Sequence, residues 1–196
     1  MPKIGMEPIR REALIAATIA EIGEKGTLDI TVSAIARRAG VSSGLAHHYF
    51  GGKEQLFLAT MTHILTAYGK EVRAALKTAE APKARLRAIV EASFSGDNFR
   101  QAVVSSWMNF YALALSSPQA NRLLAIYQHR LRSNLRHPLR HMLNDRATAA
   151  QAARRLAALI DGLYLREALR IAPPDGDRAI EIVMQQVEME LNGAAE

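Results

Sequence analysis

Thr31-Val32-Ser33-Ala34-Ile35-Ala36-Arg37-Arg38-Ala39-Gly40-Val41-Ser42-Ser43-Gly44-Leu45-Ala46-His47-His48-Tyr49-Phe50 decides how the chain is read. Thr31 is a capping type ahead of apolar residues at helical spacing, Val32, Ile35, Ala36 and Ala39. Gly40 supplies a turn that a side chain would resist. Ser42 can then cap a second short helix from Ser43 to about His48. Small Ala36 allows a close crossing, and Ile35, Ala39, Val41, Leu45 and Ala46 pin the pair at a fixed angle. The pattern predicts a helix-turn-helix over residues 31–50.

What that packing leaves outside is small or polar: Ser42, Ser43, Gly44, His47 and His48. Such residues can enter a major groove and hydrogen-bond base edges. Tyr49 and Lys53 follow, placed to meet phosphates, beside a helix N-terminus whose free amides favour an anion. Thr31 and Ser33 complete the candidate set, with Arg10 and Arg11 as further backbone contacts. Bulk charge adds little. Residues 1–60 hold seven Lys and Arg against six acids.

Away from this stretch the periodicity is again helical, and strand signals are almost absent. Ile9, Leu14, Ala17 and Ile22 share one side of a first helix that closes near Gly26. A long helix is expected from Lys53 to about Ala79. Others are expected at Lys83–Phe94, Asp97–Leu115, Pro118–Arg136, Leu139–Leu143, Thr148–Ile171 and Asp175–Leu191, with Pro138 kinking or splitting its helix. The reading is an all-α chain of two parts. Residues 1–52 form a three-helix DNA-binding unit, and residues 53–196 a larger helical bundle for effector binding and dimerisation.

Composition narrows the field. The 196 residues are 49% hydrophobic with a net charge of +6 and no cysteine, which excludes disulfide modules, zinc ribbons and thiol nucleophiles. The longest clean apolar run, Phe110 to Leu115, is far short of a membrane span, and Glu12 and Glu21 interrupt any signal-peptide core. A cytoplasmic protein is expected. Gly40-Val41-Ser42-Ser43-Gly44 matches a hydrolase elbow in letters, but that elbow needs a preceding strand. His137 and His141 stand four apart without an acid or cysteine near them. No catalytic or metal set is assigned. From Asn98 to Asn144 there is no acid, while Arg100, Arg122, Arg130, Arg132, Arg136 and Arg140 occur. They are expected to form a solvated face paired with acids from other helices, the alternative being electrostatic attraction to DNA or to an anionic membrane surface.

Gly26, Thr31 to Ala36, Ala39 to Ser42 and His48-Tyr49-Phe50-Gly51-Gly52-Lys53-Glu54-Gln55-Leu56 together resemble the TetR family of bacterial repressors. Met1 to Met6, Ser106 to Tyr111, Arg130 to Leu135 and Ala157 to Arg166 extend the likeness toward its choline-responsive branch, which governs glycine betaine synthesis. One departure is Gly52, where many relatives carry a polar or acidic residue. The resemblance implies a homodimeric repressor that binds double-stranded operator DNA and is relieved by a small effector, with choline the first candidate. A repressor of efflux or metabolic genes answering to another ligand is the alternative. A helical enzyme and an adaptor that never meets DNA are the rivals from other classes.

A quaternary ammonium offers no nitrogen donor, so aromatic faces hold it, best with a carboxylate near. Trp107 and Tyr111 on one helix, Tyr127 on the next, and Asp161 with Tyr164 near the C-terminus are the available parts. The last two helices present apolar faces suited to a dimer-forming four-helix bundle.

Overall fold

Capping side chains start most helices in the computed structural model, which describes residues 5–94 and 96–193. Helix α1, Glu7–Lys25, has Pro8 in its first turn and ends at left-handed Gly26, whose amide bonds to the Ile22 carbonyl at 2.8 Å. In α2, Val32–Arg38, the Thr31 hydroxyl accepts from the Ala34 amide. In α3, Ser43–Phe50, Ser42 accepts from Leu45, each at 3.1 Å. Gly40 between them has φ +69°, a left-handed turn that a β-carbon would strain. Helix α4, Lys53–Thr78, begins at Gly52 with no side-chain cap.

Beyond it lie α5 (Pro82–Phe94), a 3-10 turn at Gly96–Phe99, α6 (Gln101–Ala114), α7 (Pro118–Leu139), α8 (Arg146–Ala168) and α9 (Gly176–Asn192). Among the described residues there is no strand. The all-α reading holds, with local corrections.

The helix expected over 97–115 is broken at its start, because extended Arg100 separates the 3-10 turn from α6. Asn98 points inward to the Ala92 carbonyl and the Glu71 carboxylate, which holds that turn. Pro138 does not split α7. It is buried in the last turn between fully buried Leu135 and Leu139, so one lost backbone bond is outweighed by packing. No separate helix forms at 139–143. Helix α8 starts at Arg146 because Asp145 accepts from the Ala147 and Thr148 amides. It ends at Ala168, where Glu167 turns to the Asp175 amide and Arg170. Ile9 is 58% exposed and is not part of the core face of α1.

The core runs through the whole chain. Leu14 and Ile22 of α1, Leu56 and Met61 of α4, Phe110 of α6, Leu131 of α7 and Ile160 of α8 are all essentially inaccessible. Helix α1 packs against both α4 and α6, which places the N-terminal helices directly on the larger bundle. At the α1–α6 crossing a β-carbon on Gly23 would lie 2.5 Å from that of Ala102. The two backbones are as close as their side chains allow.

Candidate DNA-recognition face and effector cavity

Helix α3 buries only Ala46, and its remaining residues face outward or sit half-buried. Ser42, Gly44, His47 and His48 are exposed, with Ser43 and Tyr49 half-buried beside them. The expected recognition set therefore forms one surface. The Ser33 and Ser43 hydroxyls meet at 3.2 Å across the α2–α3 pair. Thr31 is exposed and spends its hydroxyl on capping. His47 Nδ1 lies 3.2 Å from the Gly51 carbonyl, an oxygen that can only accept, and the residue is exposed.

Cations around this face are committed unevenly. Lys53 is exposed but donates one N–H to the Leu28 carbonyl at 3.1 Å, tying the α1–α2 loop to the start of α4. Arg11 lies 5.4 Å from the centre of the Tyr49 ring and 4.9 Å from that of Phe50, and pairs with Glu7 at 2.8 Å. That role packs α3 against α1 and was not read from the sequence. Arg38 bonds both Glu21 and Glu24 of α1, and its hydrogen bond holds the Glu21 carboxyl below its ordinary range. Only distance in the fold brings those charges together, so no local signal marked them.

The second set converges from three helices. Trp107 of α6 and Tyr127 of α7 have ring centroids 4.5 Å apart. Tyr111 and Tyr164 lie 5.7 and 6.1 Å from the same indole. Tyr111 and Tyr127 both donate to Asp161 Oδ1, at 3.1 and 3.2 Å. All five expected residues thus share one neighbourhood. Burial raises the Asp161 carboxyl, against the lowering effect of those two phenols and of Arg132. Burial likewise raises the phenols, Tyr68 to about 12, so they stay neutral donors at pH 7.

Tyr68, Ser93 and Asn98 belong to this neighbourhood as well. Tyr68 donates to Ser93 Oγ at 3.0 Å, Ser93 donates to the Ile89 carbonyl at 2.9 Å, and Tyr164 donates to the Ser93 carbonyl. In sequence Tyr68 reads as one member of an apolar stripe, and nothing marks Ser93 or Asn98. Together with Trp107, Tyr127 and Tyr164 they enclose a void of about 10 Å3, room for one water. The aromatic box is closed in this conformation. A larger groove of about 540 Å3 between α4 and α7 shares Tyr68 and Tyr127 with it, and has Leu65, Val72 and Leu123 among its walls.

Among the described residues no group of three His, Cys, Asp or Glu could hold a metal, and no helix is long and apolar enough to cross a membrane. His137 and His141 stack edge to face, ring centres 5.4 Å apart. Ser42 is preceded by a helix and a turn, not by a strand.

Comparison with known proteins matches two family models. Residues 14–60 match the bacterial regulatory proteins of the tetR family, and residues 82–192 match the C-terminal region of BetI-type transcriptional repressors. The HTH-type transcriptional regulator BetI of Brucella suis biovar 1 (strain 1330) is 49% identical over 193 residues, 98% of this chain and 97% of that protein. A transcriptional regulator of Pseudomonas aeruginosa PAO1 superposes with a TM-score of 0.81 at 28% identity, covering 98% of this chain and 94% of its own. A regulator from Saccharomonospora viridis, solved in complex with choline, superposes at 0.76 with 19% identity, covering 91% and 95%. These relatives are regulators of transcription.

Proposed function

This chain belongs to the TetR family of bacterial transcriptional regulators, with a BetI-type repressor C-terminal region, and from that premise we propose that it is a homodimeric operator-binding repressor released by choline. Residues 1–52 bind the operator, and residues 53–196 dimerise and hold the effector. The genes it silences are those that convert choline to glycine betaine. Two copies of α3 enter successive major grooves, as a short helix-turn-helix needs a dimer to read a near-palindromic site. Ser42, Ser43, Gly44, His47 and His48 meet base edges. Thr31, Ser33, Tyr49 and Lys53 meet the backbone.

One observation carries the choline reading. Half-buried Asp161 accepts two phenol hydroxyls, from Tyr111 and from Tyr127, both of which pack on Trp107. A carboxylate partly withdrawn from water gains from a cation beside it. A trimethylammonium group supplies that cation and asks of the rings only their faces, about 0.5–2 kcal/mol each. The same fold holds choline in the Saccharomonospora regulator.

Because the box is closed, effector entry from the α4–α7 groove has to part Tyr68 from Tyr127 and open space beside Trp107. That moves α6 and α4 against the rest of the bundle. Helix α6 bears on α1 through Ala102 and Gly23, and α4 begins at Lys53 beside the recognition unit. The separation of the two α3 helices then changes. A coupling of about 1–3 kcal/mol weakens operator affinity 5- to 150-fold.

The test is calorimetric titration of the protein with choline and with a bulky lipophilic cation, paired with a gel shift on the adjoining promoter. Saturable choline binding that releases the promoter supports the reading. Binding of the lipophilic cation alone would favour a repressor of efflux genes.

A further inference from the structure

The arginine-rich face of α7 is not paired as its composition suggests. Among the described residues none of Arg122, Arg130, Arg132, Arg136 and Arg140 lies within 4.0 Å of a carboxylate, whereas Arg38, Arg155 and Arg170 all do. Three arginines gather instead. His129, Arg132, Ser133 and Arg136 of α7 face Arg154 of α8 across a cleft of about 300 Å3 floored by Ala153. Among the described residues no acid lines this cleft. Like charges held around one concavity repel, and a multiply charged anion reverses the sign of that interaction. Guanidinium forks also match oxyanions in geometry, two N–H groups to two oxygens.

Operator DNA does not explain the cluster. Helix α7 starts at Ser117, whose hydroxyl donates to Glu54 at the head of α4 at 2.6 Å. Arg132 lies roughly 22 Å further along the axis, at 1.5 Å per residue, away from the recognition unit. The volume is that of a small-molecule site.

We propose that the α7–α8 cleft binds a small polyvalent oxyanion, a phosphate or polycarboxylate compound, through Arg132, Arg136 and Arg154. Arg132 and Arg154 also line the adjoining hollow of about 270 Å3 that contains Asp161. An anion in the cleft offsets the positive field beside Asp161. On the effector reading given above, from which this coupling follows, it tightens cation binding in the aromatic box, and the cation tightens the anion by the same factor.

Calorimetric titration of the whole protein with pyrophosphate, and separately with citrate, at ionic strength held constant with sodium chloride tests the site. The expected result is saturable binding of at least one of the two. Arg136→Gln and Arg154→Gln each weaken it roughly tenfold or more, while Arg122→Gln, elsewhere on α7, leaves it unchanged. Binding of pyrophosphate alone assigns a phosphate ligand, and binding of citrate alone a polycarboxylate. No saturable heat, or an equal loss in Arg122→Gln, overturns the proposal. So does displacement of the anion by an operator duplex, which would assign the arginines to DNA. Choline affinity is then measured with and without the saturating anion. A several-fold gain supports the coupling and no change overturns it. If choline does not bind at all, the effector reading fails while the anion isotherm still stands.

Discussion

The Asn109 carboxamide donates to the Gly26 carbonyl at 3.2 Å, across 83 residues of sequence. It joins α6 to the C-terminus of α1. On the same two turns of α6, Trp107 and Tyr111 belong to the aromatic box. One short segment therefore touches both the buried box and the helix that supports α2 and α3.

Asn109→Ala removes that link while sparing the box. Choline affinity is expected to stay within about twofold of the parent, because no box contact is lost. The choline-induced fall in operator affinity is expected to shrink, since α6 then moves with less hold on α1. Fluorescence anisotropy of a labelled operator with and without choline reads both. An undiminished response would remove Asn109 from the route.

Lys53→Gln tests the backbone contact without freeing the loop, because the amide can still donate to Leu28. Loss of one phosphate contact lowers the slope of log affinity against log salt by about 0.9 and weakens all sequences alike. His47→Ala acts differently. It lowers affinity and relaxes base preference at one position, about 1–3 kcal/mol of discrimination. An unaltered salt slope in Lys53→Gln would mean that Lys53 only secures the loop.

Asp161→Asn separates stability from binding. Burial raises the carboxyl above its unfolded value, so its ionisation opposes folding as pH rises from the unfolded pKa through the folded one. At pH 7 the effector-free protein therefore melts higher as the asparagine variant, which still accepts from Tyr111 and Tyr127. Choline binding falls roughly tenfold or more, as the counter-charge is gone. In the parent, choline affinity declines as pH drops into the range where Asp161 takes up its proton. A variant that binds choline as well as the parent would leave Asp161 a structural residue.

Arg38→Ala leaves Glu21 with Lys25, 3.4 Å away, as its remaining cation. The Glu21 carboxyl is lowered in the folded protein, so the stability it lends is present above its unfolded pKa and lost as pH falls through the folded one. The variant is expected to melt below the parent at pH 7. The two should converge as pH falls below the folded pKa of Glu21. Circular dichroism melts across that range would expose a gap that does not close.

Much of the recognition unit is legible because its determinants are local. Thr31 and Ser42 cap within three residues, and Gly40 turns where its missing side chain matters. Helix ends without such punctuation were harder. Arg100 breaks a pattern that reads as continuous because Asn98 is drawn to partners in α4 and α5. Pro138 stays inside α7 because its neighbours are buried by other helices. The box residues Trp107, Tyr111, Tyr127, Asp161 and Tyr164 could be named from residue type and resemblance, but Tyr68, Ser93 and Asn98 could not.

Sequence alone determined the helical class, the two capped helices with their glycine corner, and the exposed polar edge of α3, since each follows from backbone preference and spacing over a few residues. Only tertiary structure decided that the aromatic box is shut around a space for one water. It also decided that Arg11 and Arg38 brace α1 against α3 and α2, that Gly23 meets Ala102, and that three arginines of α7 and α8 face one cleft with no carboxylate of the described residues within 4.0 Å. Those outcomes depend on distances between residues far apart in the chain, and such distances are set by how whole helices pack, which no short window of sequence encodes.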